Sequence, residues 1–191
     1  MSTDYTPLPN SNYSNVASYQ TNGSLPSDGN AVTSASFQVG IVLGRANDPT
    51  QLLSMNWAER QKEIAALTTS GTLWSTYGAN IQQFNGLLDY LKSNNITIDN
   101  TPGNQLGYVD ASAANRTIWI TVNIDTAQNI NNFAQLFNTQ LLQSTKPQIS
   151  YWNGNLSVPS DWGSKYNVTG LIFPSDIATI AANPGAGAQA N

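Results

Sequence analysis

The sequence predicts an α+β domain, an antiparallel sheet built in the order β-α-β-β-α-β with its helices on one face. Three stretches carry that expectation. Residues 36–43, SFQVGIVL, alternate so that Phe37, Val39, Ile41 and Leu43 share one face, the period of a half-buried strand. Residues 80–93 place Ile81, Phe84, Leu87, Leu88 and Leu91 at helical spacing. Residues 116–123, RTIWITVN, return to alternation, with Ile118, Ile120 and Val122 opposite Trp119 and Thr121.

The remaining elements follow in chain order. Residues 1–34 are rich in Ser, Asn, Pro and Gly and read as an extended arm. After the first strand, NDPTQLL offers Asp48 as a cap and Pro49 at the first helical position, opening a helix to about Leu67. Gly71 marks its exit. The second helix is followed by strand, turns and strand over residues 94–123. Asp125 or Thr126 caps a third helix, striped by Ala127, Ile130, Phe133, Ala134 and Phe137. QLLQ and ISYWNGNLSVP supply closing strands, with Asn153-Gly154 as a hairpin signal. NVTGLIFPSD closes the sheet, and residues 177–191, small and Pro/Gly-punctuated, read as a linker. With the first helix counted as an insertion, residues 35–176 form a split β-α-β, ferredoxin-like domain between arm and linker.

Composition narrows the chemistry. Only 9% of the 191 residues are charged, against roughly 25% in an average soluble domain. A surface of Ser, Thr, Asn and Gln keeps its character when carboxylates are protonated, which suits a secreted protein in acidic surroundings. The net charge is −4, and Arg45, Arg60, Lys62, Lys92, Arg116, Lys146 and Lys165 are scattered, so no basic stripe exists for nucleic acid. The chain has no cysteine and no histidine. That excludes a disulfide, a thiolate nucleophile, a Cys/His zinc site and a Ser-His-Asp triad within it. A proton switch must use carboxylates, which titrate near ~4. No apolar run approaches the ~20 residues of a membrane span, and the amino terminus lacks the basic-then-apolar pattern of a signal peptide. Asn-x-Ser/Thr sequons begin at Asn12, Asn22, Asn95, Asn115, Asn155 and Asn167, a number that Asn/Ser/Thr richness largely explains.

No catalytic constellation emerges. Glu59 and Glu63 share a helix face, but Arg60 and Lys62 beside them mark a charged surface. Asp89 and Lys92 pair in the same way. Asp99, Asp110, Asp125, Asp161 and Asp176 fall singly at turns or caps. No EF-hand loop, Walker sequence or G-x-G-x-x-G is present, and no strand leads into Ser70-Gly71-Thr72 as a nucleophile elbow requires. The rings of Trp74, Tyr77, Trp119, Tyr151, Trp152, Trp162 and Tyr166 read as core and interface more readily than as a sugar platform.

Three segments in order carry a family resemblance. LWSTYGANIQQFNGLLDYLKSNNITI, Leu73–Ile98, resembles a segment in which an aromatic turn leads to a helix and then a strand. RTIWITVNIDTAQNINNFAQLFNTQLLQ, Arg116–Gln143, resembles a strand, a threonine-alanine helix start and an AFGT-L ending, here Gln135 to Leu141. YWNGNLSVPSDWGSKYNVTGLIFPSD resembles a closing Y…VP…V-GV-GLD pattern through Tyr151, Val158, Pro159, Val168, Gly170, Leu171 and Asp176. Together, over Ser36–Asp176, they resemble the propeptide of the sedolisins, the serine-carboxyl peptidases, a pro-kumamolisin-type activation domain. Asn94 and Asn138 stand where the family has Gly, and Leu171–Asp176 is a lengthened version of the GLD ending.

The resemblance implies a non-catalytic chain: an intramolecular chaperone and active-site inhibitor, released by acid and proteolytic cleavage. Its partner is the sedolisin catalytic domain, a subtilisin-like, calcium-binding domain with a Ser-Glu-Asp triad. The Gly-Thr-Ser context of that serine does not occur here, so no cofactor is expected in this chain, and calcium belongs to the partner. The linker, with Ser175, Asp176, Ile177, Asn183 and Pro184, would thread the active-site cleft as a pseudo-substrate. Asp99, Asp110, Asp161 and Asp176 are candidate acid-switch residues, acting at about pH 3 to 5. The alternative is a stand-alone secreted protein of the same fold, acting as a protease inhibitor or surface binding module.

Overall fold

A computed structural model of the chain describes residues 4–12, 30–31, 36–98, 112–123, 133–145 and 148–173. Within these residues the protein is mixed α+β with antiparallel sheets. Strand β3, Ser36–Leu43, has the bounds its alternation predicts and lies inside a four-stranded sheet. Its neighbours are β5 (Thr117–Asn123) and β9 (Val168–Ile172), and β4 (Thr97–Ile98) borders β5. The order is β4-β5-β3-β9, and every pair is antiparallel. Pairing sets Val39 opposite Ile120, Ile41 opposite Ile118 and Leu171 beside Ile41, so one face is aliphatic throughout.

That face is closed by helices. α4, Ile81–Ser93, starts at Asn80, whose side chain accepts from the Gln82 and Gln83 amides, and it buries Phe84, Leu87 and Leu91. Residues 133–137 are helical (α5) and bury Phe133, Leu136 and Phe137. α6, Asp161–Tyr166, adds Trp162 and Tyr166, which pack on Tyr90 of α4. These side chains form one cluster with Val39, Ile41, Leu43, Ile118 and Ile120. The left-handed residue after α4 is Asn95 (φ 58°) and not Asn94 (φ −97°), whereas Asn138 does take φ 48°. Residues 124–130, where the cap and early stripe of the third helix are expected, lie outside the described residues.

Two smaller sheets flank the core. β6 (Leu141–Thr145) and β7 (Gln148–Trp152) form a hairpin, joined by β2 (Asn30–Ala31). β1 (Tyr5–Pro7) pairs with β8 (Ser157–Pro159). The Asn153-Gly154 turn is therefore not a hairpin, contrary to the sequence expectation. Gly154 does take φ 71°, but it passes the chain from one sheet to another. The amino-terminal segment supplies the partner on the far side. The Leu8 amide donates to the Leu156 carbonyl (2.8 Å), the Leu156 amide to Ser11 Oγ (2.8 Å), and Trp152 Nε1 to the Ser11 carbonyl (2.9 Å).

The expected first helix is two. α1 (Thr50–Ser54) and α2 (Trp57–Thr69) are separated at Met55, which is extended. Asn56 accepts from the Glu59 amide (3.0 Å), a better start for α2 than a continuous turn would give. The Arg60 guanidinium turns back to the Leu52, Leu53 and Met55 carbonyls, satisfying acceptors left bare where α1 stops. A further short helix, α3 (Leu73–Tyr77), follows the φ 71° turn at Gly71. Three hydrogen bonds close the neck of this lobe: Ala46 N–H to Gly78 (2.7 Å), Arg45 Nη1 to Tyr77 (2.9 Å) and Asn47 Nδ2 to Thr76 (2.8 Å). Beyond the neck, α2 buries no residue at all.

The contrast between core and lobe is testable in urea. Phe137→Ala is expected to cost about 3–5 kcal/mol, while Trp57→Ala, at a residue 72% exposed, stays within about 0.5 kcal/mol of the parent. The N-cap of α1 is Pro49 and not Asp48, contrary to the sequence expectation, and no side chain caps it there. Asp48 instead bonds Thr50 and supplies a second test. Hydrogen bonds from the Thr50 hydroxyl (2.6 Å) and then the Thr50 amide (2.9 Å) hold its carboxyl below the ordinary value. This support for the start of α1 is present above the unfolded-state pKa and lost as pH falls through the folded-state one. An NMR titration of the Thr50 amide should therefore have its midpoint below ~3.9. A midpoint at or above that value would mean that Thr50 does not hold the carboxylate.

Candidate docking surface

The second face of the four-stranded sheet is built from the alternate positions. β3 contributes Gln38, Gly40 and Val42; β5 contributes Thr117, Trp119 and Thr121; β4 adds Thr97, and β9 adds Gly170 and Ile172. None of these residues is charged. Trp119 is 5% exposed yet stands outside the main core cluster, because it belongs to this opposite face. Its indole lies across Gly40: a Cβ at that glycine would come within 3.0 Å of two indole carbons and 3.1 Å of the Thr117 methyl. Glycine is thus needed here for close approach and not for an unusual backbone angle. Ile172, 43% exposed, sits on the other side of Gly40. The face is thus neutral, with Gly40, Thr117 and Trp119 buried at its middle and Thr97 and Ile172 exposed at its edges.

At the edge of the same sheet a cleft of about 250 Å³ opens between Leu8–Ser11 and β9, bounded by Thr169, Gly170, Leu171 and Phe173. Its lining is also uncharged. Phe173 stacks on Trp152, with ring centroids 5.5 Å apart.

The site residues expected from sequence are placed as follows. Asp161 opens α6 on the helix-bearing side and is exposed, not on the uncharged face. Its charge acts on Lys165 and Tyr90. The Lys165 ammonium is held above its ordinary pKa chiefly by a hydrogen bond with Tyr166, and it lies 4.9 Å from that ring's centroid. Asp99, Asp110 and Asp176 lie outside the described residues, as do Ser175, Ile177, Asn183 and Pro184. Glu59, Glu63 and Asp89 are exposed helix residues. Among the described residues no group of three or more Asp or Glu side chains is placed to hold a metal ion, and no helix is long and apolar enough to cross a membrane.

Tyr151, Trp152, Trp162 and Tyr166, the late aromatic cluster, are core residues between 0% and 5% exposed. The exposed rings are elsewhere, at Trp57 and Trp74 of the helical lobe. Alternation within β3 and β5 was sufficient to assign the uncharged face. The cleft had no sequence signal, because it forms between segments about 160 residues apart and the Leu8–Ser11 side has no periodic pattern.

Gly40→Val is expected to push the Trp119 indole off the sheet, shifting its fluorescence to the red and costing about 1–3 kcal/mol. Gly170→Val, on the same face with nothing within 4 Å of its Cβ position, should do neither. Equal effects at the two glycines would mean that the indole is not seated on Gly40. No family model matches the chain, and no curated protein matches it.

Proposed function

We propose that the chain is the propeptide of an acid-activated, sedolisin-type serine-carboxyl peptidase, serving as intramolecular chaperone and active-site inhibitor. The observation that carries this reading is the uncharged sheet face, whose edge strand β9 lies within the closing segment that resembles the family's. The order β4-β5-β3-β9, with α4 after the first strand and α5 after the third, also supports it. That is the arrangement of a ferredoxin-like, split β-α-β sheet with helices on one face.

In this reading the uncharged face docks on the catalytic domain, and residues 174–191 continue from β9 toward the active site. Ser175, Asp176, Ile177, Asn183 and Pro184 would lie along the cleft as a substrate does, and the calcium site belongs to the partner. A neutral docking face loses nothing when pH falls. The acid response is therefore assigned to the candidate carboxylates Asp99, Asp110 and Asp176 and to those of the partner. Asp161, on the helix-bearing side, is the weakest of the four original candidates. Protonating one member of a buried interfacial pair leaves its partner uncompensated, which costs about 3–5 kcal/mol. The setting is secreted and acidic, and no nucleic acid takes part.

The test is inhibition of a sedolisin catalytic domain by the purified chain between pH 3 and 7. Tight inhibition near neutrality should fade below about pH 5 as carboxylates protonate. Ile172→Lys, which places a charge on the docking face, should weaken it by about tenfold or more at neutral pH. A folded chain that inhibits at no pH would sink the reading and favour a stand-alone surface binding module.

A further inference from the structure

β9 is the outermost strand of its sheet among the described residues, and the ladder defines which of its backbone groups are used. The Leu43 amide donates to the Arg116 carbonyl (2.8 Å), so the odd-numbered residues of β3 point toward β5. Hydrogen-bonded pairs alternate along an antiparallel ladder. Gly40 and Val42 therefore bond toward β9, opposite Ile172 and Gly170. Two side contacts agree: the Gly44 amide donates to the Asn167 carbonyl (2.7 Å), and Thr169 Oγ1 donates to the Val42 carbonyl (3.3 Å). The N–H and C=O of Leu171 then face away from β3, into the 250 Å³ cleft whose far wall is Leu8–Ser11.

We propose that this cleft receives an extended, uncharged peptide segment of a partner protein, which adds to the sheet as a fifth strand beside β9. Two features of the cleft select that occupant. Among the described residues the outward N–H and C=O of Leu171 have no partner, and an extended backbone satisfies both at once. The walls are apolar at Leu8, Pro9 and Phe173 and carry only neutral polar groups at Asn10, Ser11 and Thr169. A charged side chain would be desolvated there without a counter-charge. The edge from Thr169 to Phe173 is about 13 Å long, so about four residues of the guest are engaged. The Thr169 bulge ends the pairing at one side, and the Phe173–Trp152 stack marks the other. This inference needs only an extended partner and is independent of the peptidase reading.

Amide hydrogen exchange of the whole chain tests it, with an acetylated, amidated pentapeptide of alternating threonine and valine as probe. In the free chain the Leu171 amide should exchange fast and the Gly170 and Ile172 amides slowly. Saturating peptide should slow Leu171 by about fivefold or more, the worth of one net backbone hydrogen bond. A version N-methylated at every amide, whose methyl groups block both edges, should leave it unchanged. Equal protection by both peptides would overturn strand addition. So would slow exchange of Leu171 in the free chain at low concentration, where the edge would already be covered. Protection that grows with protein concentration, together with a dimer in sedimentation, would replace the partner segment with a second copy of this chain.

Discussion

The structure depends on β3 more than on any other element. Among the described residues it is the only strand of its sheet with a long partner on each side, β5 and β9. Its odd-numbered side chains, Val39, Ile41 and Leu43, are fully buried against the helices. Its even-numbered positions, Gln38, Gly40 and Val42, set the character of the opposite face. A one-residue slip would exchange the two sets, placing three aliphatics on the opposite face and Gln38 and Gly40 against Phe84 and Leu87. One register therefore determines both where the core is and what the uncharged face is made of. Gly40 serves both roles, leaving space for the Trp119 indole without interrupting the ladder.

That dependence explains which parts were legible in the sequence. β3 and α4 are long, strongly periodic and capped by their own residues, so local pattern was enough to place them. The break between α1 and α2 was not read because Pro49 and the spacing beyond it suit one long helix. The decision rests on Asn56 capping forward and Arg60 bonding backward, a competition that periodicity does not register. The Asn153-Gly154 signal was correct about the turn and wrong about the partner. Turn chemistry is local, but which strand lies alongside Ser157–Pro159 is decided by Tyr5–Pro7, about 150 residues away. Three-residue strands such as β1 and β8 have too little alternation to announce themselves. They exist because tertiary packing supplies their pairing. The two faces of the sheet were readable in outline from β3 and β5, whereas the cleft beside β9 is a product of that distant pairing and was not.

The division between a charge-poor body and a helical lobe has a physical logic of its own. Charged residues are scarce in this chain, and four of them, Glu59, Arg60, Lys62 and Glu63, are concentrated on α2. α2, like the short α3, buries no residue. A helix without an apolar seat gains little from packing and must be held by its ends. Asn56 at its start, the Arg60 guanidinium on the α1 carbonyls, and the three bonds at the neck do that work. The lobe can therefore differ in sequence from the body without disturbing β3.

The same economy bears on acid tolerance. A domain stabilised by buried carboxylate pairs unfolds when those pairs are protonated. Every carboxylate among the described residues is exposed, and the core cluster is entirely apolar or aromatic. Falling pH accordingly removes surface contributions such as the Asp48–Thr50 hydrogen bonds while leaving the contacts between β3, β5 and the helices intact. A partner bound through carboxylates could be released in acid by a domain that itself stays folded. Such a separation needs the titrating groups to lie outside the core, and the aliphatic register of β3 provides it.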